Sequence, residues 1–267
     1  MPEPIDAVLL DIDGVLVASW EPIDGAAGAV AALRDAGYGV RFLTNTTSRT
    51  RGSIAEALRD AGIDVEDDEI ATATSATAAH LRHRHPGRRV LLLDDGPTDD
   101  LGDLDLVDVH DDPYNDPEVV VLGGAGPLFT WEAVSRLAGL VAEGVPFVAM
   151  HGSAVWQTAD GLRLDTGAFA AAIATATGIR PTVVGKPAPV MFTDALADLG
   201  CAPQAAVMVG DDVHSDVLGA QAAGLRGVLV RTGKFRPELL VAAEGDPDHV
   251  VDSIVDVPDL LAGIRDA

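Results

Sequence analysis

The sequence predicts an α/β fold, in which a doubly wound parallel sheet forms a core and a smaller α/β domain is inserted into it. Three observations indicate this. Apolar strands alternate with helices at the start of the chain, the alternation returns near its end, and the middle has strands and helices of its own. Strands that alternate with helices form parallel sheets, because each helix carries the chain back to the end of the sheet where the previous strand began. The core is therefore predicted to be Rossmann-like.

Near the start of the chain, two strands and two helices alternate. Residues 7–10 form a short apolar run that ends at Asp11, as is typical of a strand buried on both faces of a parallel sheet. Residues 23–36 carry apolar side chains at helical spacing, residues 40–43 form a second apolar strand, and residues 50–61 form a second helix. This order predicts the first strand–helix–strand–helix unit of the core.

The end of the chain repeats this alternation. Helices are predicted at residues 189–199, 215–223 and 258–264, and strands at residues 205–209, 227–230 and 249–251. Both ends of the chain are therefore expected to contribute to one parallel-sheet core.

The middle of the chain carries a separate set of elements. Strands are predicted at residues 90–93, 119–122 and 147–150, and helices at residues 75–84, 131–143 and 167–177. We therefore predict a core domain at residues 1–72 and 180–267 and an inserted α/β domain at residues 73–179. The glycine cluster at residues 123–126 follows a strand. It lacks a Gly-Lys-Ser/Thr sequence and a full G-x-G-x-x-G pattern, so we interpret it as a turn.

The composition argues against several classes of partner and location. The formal net charge is −24, so a nucleic acid duplex or an anionic membrane would repel the chain. Cys201 is the only cysteine, which excludes an intrachain disulfide. Residues 1–4 lack the basic and apolar regions of a signal peptide, and no apolar run approaches the ~20 residues that span a bilayer. We therefore expect a cytoplasmic protein.

Two carboxylates follow the first predicted strand. Asp11 and Asp13 are separated by one residue, and Gly14 permits a sharp turn directly after them. Asp11 can offer a carboxylate oxygen as a nucleophile and metal ligand, and Asp13 lies on the same side, where it can act as an acid and then as a base. The pattern D-x-D-G is common, and an Asp-rich turn that caps a helix would explain it equally well.

Thr44 and Asn45 follow the second predicted strand. The Thr44 hydroxyl and the Asn45 backbone N–H can hold a phosphate oxygen between them. Taken alone, the pair is explained more simply by a polar strand end that caps the next helix.

Lys186 is one of only two lysines in the chain, and it lies in a predicted loop between Gly185 and Pro187. A compact ammonium group can neutralise both a nucleophilic carboxylate and a phosphoryl oxygen. Taken alone, it is explained more simply as a surface lysine.

Gly210, Asp211 and Asp212 follow the strand predicted at residues 205–209, and Asp216 comes four residues later. Carboxylates at a strand end are hard oxygen ligands that suit Mg²⁺. A helix N-terminus is enriched in Asp for electrostatic reasons and could produce the same pattern. Each of these motifs is weak when taken alone, but their order along the chain is specific.

In this order, the motifs resemble those of the haloacid dehalogenase superfamily in its phosphatase branch, and the resemblance covers nearly the whole chain. Asp11 and Thr44 are 33 positions apart, too few for a cap domain, whereas Thr44 and Lys186 are 142 apart. This spacing is similar to that of subfamily IIA, whose members carry a C2-type cap. The segment at residues 231–237 is most similar to the phospholysine phosphohistidine inorganic pyrophosphate phosphatases.

The resemblance implies a Mg²⁺-dependent phosphohydrolase that forms an aspartyl-phosphate on Asp11. In the family pattern, Asp13 is the acid and base, and Thr44, Asn45 and Lys186 bind the substrate phosphate. Asp11, Asp211 and the backbone carbonyl of Asp13 hold the metal. Asp216 is expected to orient Lys186 or metal-bound water. The implied partners are a small phosphorylated substrate, such as a metabolite, pyrophosphate or a phosphoramidate, and a second copy of the chain that binds through the cap.

Several alternatives stay open at this point. Sugar phosphates, nucleotides, phosphoglycolate and p-nitrophenyl phosphate are substrates of the same subfamily. A phosphomutase of the same superfamily is an alternative activity, although the cap of a phosphomutase usually lies between the first two motifs. Asp13 argues against a dehalogenase, and the missing membrane spans exclude an ion pump. A non-catalytic module that binds phosphoproteins is the alternative from a different class.

Overall fold

The computed structural model describes residues 4–109, 116–158 and 161–265. Residues 1–3, part of the segment predicted not to be a signal peptide, lie outside the described residues. The chain divides into two compact units. The first comprises Met1–Thr44, Arg51–Ala71 and Lys186–Ala267, and the second comprises Asn45–Thr50 and Thr72–Gly185. The domain bounds expected from the sequence stay a prediction, whereas the predicted α/β fold class is confirmed.

The strands of the described residues are numbered in chain order. They are β1 (Ala7–Asp11), β2 (Val17–Ala18), β3 (Glu21–Pro22), β4 (Gly39–Thr44), β5 (Ile70–Thr72), β6 (Val90–Leu93), β7 (Leu106–Asp108), β8 (Val119–Leu122), β9 (Phe147–Ala149), β10 (Val155–Thr158), β11 (Gly161–Leu164), β12 (Thr182–Val183), β13 (Ala206–Gly210), β14 (Arg226–Val230) and β15 (His249–Val251).

The helices are numbered in the same way. They are α1 (Ala26–Asp35), α2 (Arg51–Asp60), α3 (Ala73–Arg84), α4 (Trp131–Ala142), α5 (Thr166–Thr177), α6 (Pro189–Ala197), α7 (Gly219–Ala222), α8 (Pro237–Ala242) and α9 (Val257–Arg265). None of the described helices is long and apolar enough to cross a membrane.

The first unit is built on a six-stranded sheet with the order β15-β14-β13-β1-β4-β5. Strand β1 pairs in parallel with β4 on one side and with β13 on the other. All five residues of β1 are buried, which explains why its sequence is continuously apolar up to Asp11. Strand β1 lies where the strand order of the sheet reverses, with the next core strand β4 on one side and the later strand β13 on the other. The carboxyl end of β1 is a topological switch point, where α/β sheets bind ligands.

The second unit contains a five-stranded sheet with the order β12-β9-β8-β6-β7, and its neighbouring strands pair in parallel. Leu122 of β8, Leu137 of α4 and Ile173 of α5 are buried in one hydrophobic core. Strands β10 and β11 form an antiparallel hairpin, which the sequence reasoning did not predict.

One predicted helix has a different form in the structure. The sequence predicts an α-helix at residues 215–223, but Val213–Leu218 is a π-helical turn and only Gly219–Ala222 is α-helical. The Asp212 carboxylate accepts hydrogen bonds from the backbone N–H groups of His214 and Ser215 and so caps this turn at its start. Such π-helical turns are rare overall, but those that occur often lie at functional sites.

Candidate active site

Asp11 is the last residue of β1, and its side chain is buried at the switch point. Its carboxylate accepts a short hydrogen bond from Nζ of Lys186. Nζ also lies 3.4 Å from the carbonyl oxygen of Leu43, the residue paired with Asp11 on the neighbouring strand. The Lys186 side chain is only 3% exposed, so this ion pair is shielded from water.

Lys186 contacts a second buried carboxylate on its other side. Its Nζ lies 2.7 Å from Oδ1 of Asp216, a residue of the π-helical turn that is 1% exposed. Burial by itself would lower the pKa of Lys186, but the charges of Asp11 and Asp216 together raise this pKa above its usual value. Lys186 therefore stays positively charged across the physiological pH range, and the expected partnership of Asp216 with Lys186 is present.

Asp211 directly follows β13 and is also buried. Its Oδ2 accepts a 2.6 Å hydrogen bond from the backbone N–H of Lys234, while its Oδ1 is buried without a hydrogen-bond partner among the described residues. Gly14 allows this close arrangement, because it has a φ of +97° and a Cβ at this position would collide with the Asp211 carboxylate. Burial and the charge of Asp11 raise the pKa of Asp211 to about 7.

Carboxylate oxygens of Asp11, Asp211 and Asp216 all lie within 4.8 Å of one another. Three buried carboxylates outnumber the single ammonium group of Lys186, and Asp211 has an oxygen that no donor satisfies. An uncompensated buried carboxylate is costly, so this donor set fits a hard divalent cation bound through oxygen. The site therefore has the composition expected of a metal centre.

Asp13 does not belong to this side-chain cluster. Its side chain is exposed, and its Oδ1 accepts a 3.3 Å hydrogen bond from the backbone N–H of Ser19. The role predicted for Asp13 at the metal uses its backbone carbonyl and stays a prediction. The Asp13 carboxylate takes no part in the Lys186 ion pairs, which are formed with Asp11 and Asp216.

The predicted phosphate-binding residues are divided between the two units. Thr44 ends β4 next to β1, is 3% exposed and belongs to the first unit together with Lys186. Asn45 belongs to the second unit, so its contribution to the site stays a prediction.

The sequence analysis assigns residues 231–236 to a family-like segment but gives them no role at the site; we call these residues the Lys234 loop. Thr232 donates a short hydrogen bond from its hydroxyl to the carbonyl oxygen of Gly14. Gly233 has a φ of +60°, and a Cβ on it would collide with the Asp211 carboxylate. The signal was available in the sequence, because Lys234 is the second of the two lysines.

Comparisons with known proteins indicate one family of hydrolases. A family model described as haloacid dehalogenase-like hydrolase matches residues 8–104, and a second HAD-hydrolase-like model matches residues 183–257. Human haloacid dehalogenase-like hydrolase domain-containing protein 2 is 37% identical over 94% of this chain and 96% of its own length. The phospholysine phosphohistidine inorganic pyrophosphate phosphatase of Xenopus laevis is 34% identical over 98% and 96%, respectively.

Solved structures agree with these relatives. The p-nitrophenyl phosphatase from Archaeoglobus fulgidus superposes with a TM-score of 0.88 and 29% identity, and the match covers 97% of this chain and all of that one. The glycerol phosphate phosphatase from Mycobacterium tuberculosis, solved in complex with magnesium, has a TM-score of 0.81 and 30% identity. This match covers 94% of this chain and 76% of that one.

Proposed function

The chain belongs to the haloacid dehalogenase-like hydrolases and is a phosphatase, and on that premise we propose that it is Mg²⁺-dependent and forms an aspartyl-phosphate on Asp11. One observation carries the proposal. The Asp11 carboxylate lies at the switch point of the sheet, in contact with the buried Lys186 ammonium and within 4.8 Å of the carboxylates of Asp211 and Asp216. A nucleophilic carboxylate needs such positive charge to approach an anionic phosphate.

The metal would be held by the carboxylates of Asp11 and Asp211 and by the backbone carbonyl of Asp13. When bound, Mg²⁺ supplies positive charge that offsets the repulsion between the nucleophile and the phosphate. Support comes from the unsatisfied Oδ1 of Asp211 and from the magnesium complex of the mycobacterial relative.

In the first half-reaction, an Oδ atom of Asp11 forms a bond to phosphorus while the bond from phosphorus to the leaving group breaks. Asp13 donates its proton to the departing atom, so that the leaving group departs without a negative charge. Lys186, the Thr44 hydroxyl and the Asn45 N–H bind the remaining phosphoryl oxygens and stabilise their charge in the transition state.

In the second half-reaction, Asp13 has lost its proton and acts as the base. It removes a proton from a water molecule, whose oxygen attacks the phosphorus and releases the Asp11 carboxylate. Inorganic phosphate leaves, and both aspartates return to their starting states. The exposed position of Asp13 suits this exchange of protons with water.

We propose a small phosphorylated metabolite, pyrophosphate or a phosphoramidate as the substrate, with residues 73–179 acting as a C2-type cap that selects the leaving group. The relatives are named for different substrates, including pyrophosphate, p-nitrophenyl phosphate and glycerol phosphate. Sugar phosphates, nucleotides and phosphoglycolate are therefore included in the test panel. A strong preference for a sugar phosphate or phosphoglycolate over pyrophosphate and phosphoramidates would overturn this choice.

The covalent intermediate has a direct test. Acid quenching during turnover of p-nitrophenyl phosphate, followed by peptide mass spectrometry, should find phosphate on the peptide that contains Asp11. The Asp13→Asn variant should accumulate more of this species, because it lacks the base for the second step. A wild-type enzyme that turns over while this peptide is never phosphorylated would contradict the mechanism.

We also propose that the chain forms a homo-oligomer through its second unit. Support comes from one face of the β10–β11 hairpin, where the exposed fractions of Val155, Leu162 and Leu164 are 43%, 67% and 61%. Exposed clusters of large apolar side chains often mark protein interfaces. Light scattering should show an oligomer for the wild type and a smaller species for Leu162→Ser/Leu164→Ser; a monomeric wild type would refute the proposal.

A further inference from the structure

The second lysine of the chain has no function in the mechanism above. The chain contains only two lysines, Lys186 and Lys234. Although they are 48 positions apart, both lysines come close to the carboxylate cluster in the structure. An ammonium group is a compact point charge, which differs from the planar guanidinium of arginine.

The Lys234 loop is attached to two loops of the active site. Its Thr232 hydroxyl donates to the carbonyl of Gly14, and its Lys234 backbone N–H donates to Oδ2 of Asp211 at 2.6 Å. Oδ atoms of Asp211 and Asp11 lie within 4.8 Å of each other. The Lys234 backbone is therefore held close enough for its long side chain to reach substrate bound at Asp11.

The ammonium group of Lys234 is available to a ligand. Within the part of the chain that the structure describes, no carboxylate lies within ion-pair distance of its Nζ, and the side chain is exposed. Lys186 differs in both respects, because it is buried and contacts two carboxylates. A lysine ammonium group stays charged across the physiological pH range.

We propose that the Lys234 ammonium binds a negatively charged oxygen of the leaving group, so that the enzyme favours substrates whose leaving group carries charge close to the scissile bond. Inorganic pyrophosphate has such a leaving group and p-nitrophenyl phosphate does not. This inference rests on the proposed function, in which Asp11 is the nucleophile.

The position of each lysine determines which part of the substrate it contacts. The transferred phosphoryl group must reach the buried Asp11, where Lys186 is already in place. In an in-line displacement the leaving group lies on the side of phosphorus opposite the nucleophile, which is the side nearer solvent. The exposed cation is therefore placed to contact the leaving group, in a chain whose net charge of −24 otherwise repels an additional phosphate.

Substrate preference provides the first test. The kcat/KM values for pyrophosphate and p-nitrophenyl phosphate are measured for the wild type, Lys234→Gln and Lys234→Arg. In Lys234→Gln, the ratio of the pyrophosphate value to the p-nitrophenyl phosphate value should fall roughly tenfold, since charge-assisted hydrogen bonds are worth more than neutral ones. Lys234→Arg keeps the charge and should recover part of that ratio.

Arg231→Gln is the charge-matched control. Arg231 starts the same loop, but its guanidinium pairs with Asp252 in an exposed ion pair. This variant removes one positive charge from the loop without removing a group that faces the site, so it should leave the ratio unchanged. An equal fall in Arg231→Gln would overturn the inference, because the effect would then reflect net charge.

Inhibitor binding provides a second readout that is independent of turnover. Methylenediphosphonate, a pyrophosphate analogue whose carbon bridge cannot be hydrolysed, should inhibit p-nitrophenyl phosphate hydrolysis roughly tenfold less well in Lys234→Gln. The weakening of inhibition by inorganic phosphate should be smaller, because phosphate lacks the second charged group. Equal weakening for both inhibitors, or no inhibition of the wild type by methylenediphosphonate, would overturn the inference.

The two proposals fail in distinguishable ways. If Asp11→Asn keeps wild-type turnover, the proposed function fails. If Asp11→Asn is inactive but Lys234→Gln changes both substrates equally, only the role of Lys234 fails.

Discussion

The ammonium group of Lys186 contacts the carboxylate of Asp11, although the two residues lie 175 positions apart in the chain. Asp11 ends β1, and Lys186 begins the last segment of the first unit. Their contact joins the start of the chain to its final third at the topological switch point of the sheet.

Lys186→Met should reduce both activity and stability. It leaves the buried carboxylates of Asp11 and Asp216 without their counter-charge, which should cost about 3 kcal/mol in the free energy of unfolding. Removing one preorganised cation should also reduce kcat by roughly 10²–10³-fold. Urea unfolding and p-nitrophenyl phosphate kinetics measure the two effects. Lys234→Met, at the exposed lysine, is the stability control and should change unfolding by less than ~0.5 kcal/mol.

Asp11→Asn should abolish turnover while leaving the fold intact, because an amide of the same shape cannot attack phosphorus. We expect a loss of roughly 10⁴-fold or more in release of phosphate from p-nitrophenyl phosphate. Asp6→Asn is a matched control, because Asp6 is exposed and directly precedes the same strand. Turnover of Asp11→Asn at the wild-type rate would exclude Asp11 as the nucleophile.

Metal removal should abolish activity and lower stability together. EDTA should stop phosphate release and added Mg²⁺ should restore it. Because a ligand that binds only the folded state stabilises it, Mg²⁺ should also raise the melting temperature of the wild type. Asp211→Asn should lose most of this thermal shift, since it removes one proposed ligand. Activity that is indifferent to the chelator would remove the metal from the mechanism.

Gly14→Ala should inactivate the enzyme for a steric reason. Gly14 and Gly37 both have positive φ values, +97° and +89°, so alanine at either position should cost about 1 kcal/mol of backbone strain. A Cβ at Gly14 also collides with Asp211, whereas nothing lies within 4 Å of a Cβ at Gly37. Specific activity should therefore fall in Gly14→Ala and persist in Gly37→Ala. Equal activities would show that the close approach of Gly14 to Asp211 is unimportant.

Asp94→Asn should make stability less dependent on pH. Burial raises the pKa of Asp94 to about 6, although its Oδ1 accepts hydrogen bonds from the N–H groups of Gly96 and Gly124. The folded state therefore binds this proton more tightly than the unfolded state does. Stability is lost as the pH rises from about 4 to about 6, by up to ~3 kcal/mol for a shift of about two units.

An asparagine can keep the acceptor oxygen at this position without the charge. Asp94→Asn should therefore be more stable than the wild type at pH 8 and should gain little at pH 4.5. Melting temperatures of both proteins at the two pH values provide the measurement. A variant that is destabilised equally at both values would show that burial of the charge is not costly.

Much of the site could be predicted from local sequence. An apolar run followed by D-x-D-G predicts a buried strand with carboxylates at its end, and β1 ends at Asp11 as expected. The later Asp211 likewise follows a predicted strand, which the structure has as Ala206–Gly210. Such predictions succeed because strand burial and turn chemistry depend on adjacent residues.

Other features were not predictable in this way. The sequence predicts an α-helix for the segment that carries Asp216, whereas the structure has a π-helical turn there, capped by Asp212 and joined to Lys186 by an ion pair. The sequence places Lys234 in a family-like segment and predicts no contact for it. Its backbone contact with Asp211 joins residues that are 23 positions apart, and no periodic pattern indicates such a contact.

The sequence by itself determined the order of strands and helices, the parallel core and the residues able to carry phosphoryl chemistry. Only the tertiary structure decided which of these residues meet. It brought Lys186 between Asp11 and Asp216, left the Asp13 side chain outside the carboxylate cluster and held the Lys234 backbone against Asp211. The physical reason is that secondary structure depends on neighbouring residues, whereas these contacts depend on the strand order of a sheet that brings distant segments together at one edge.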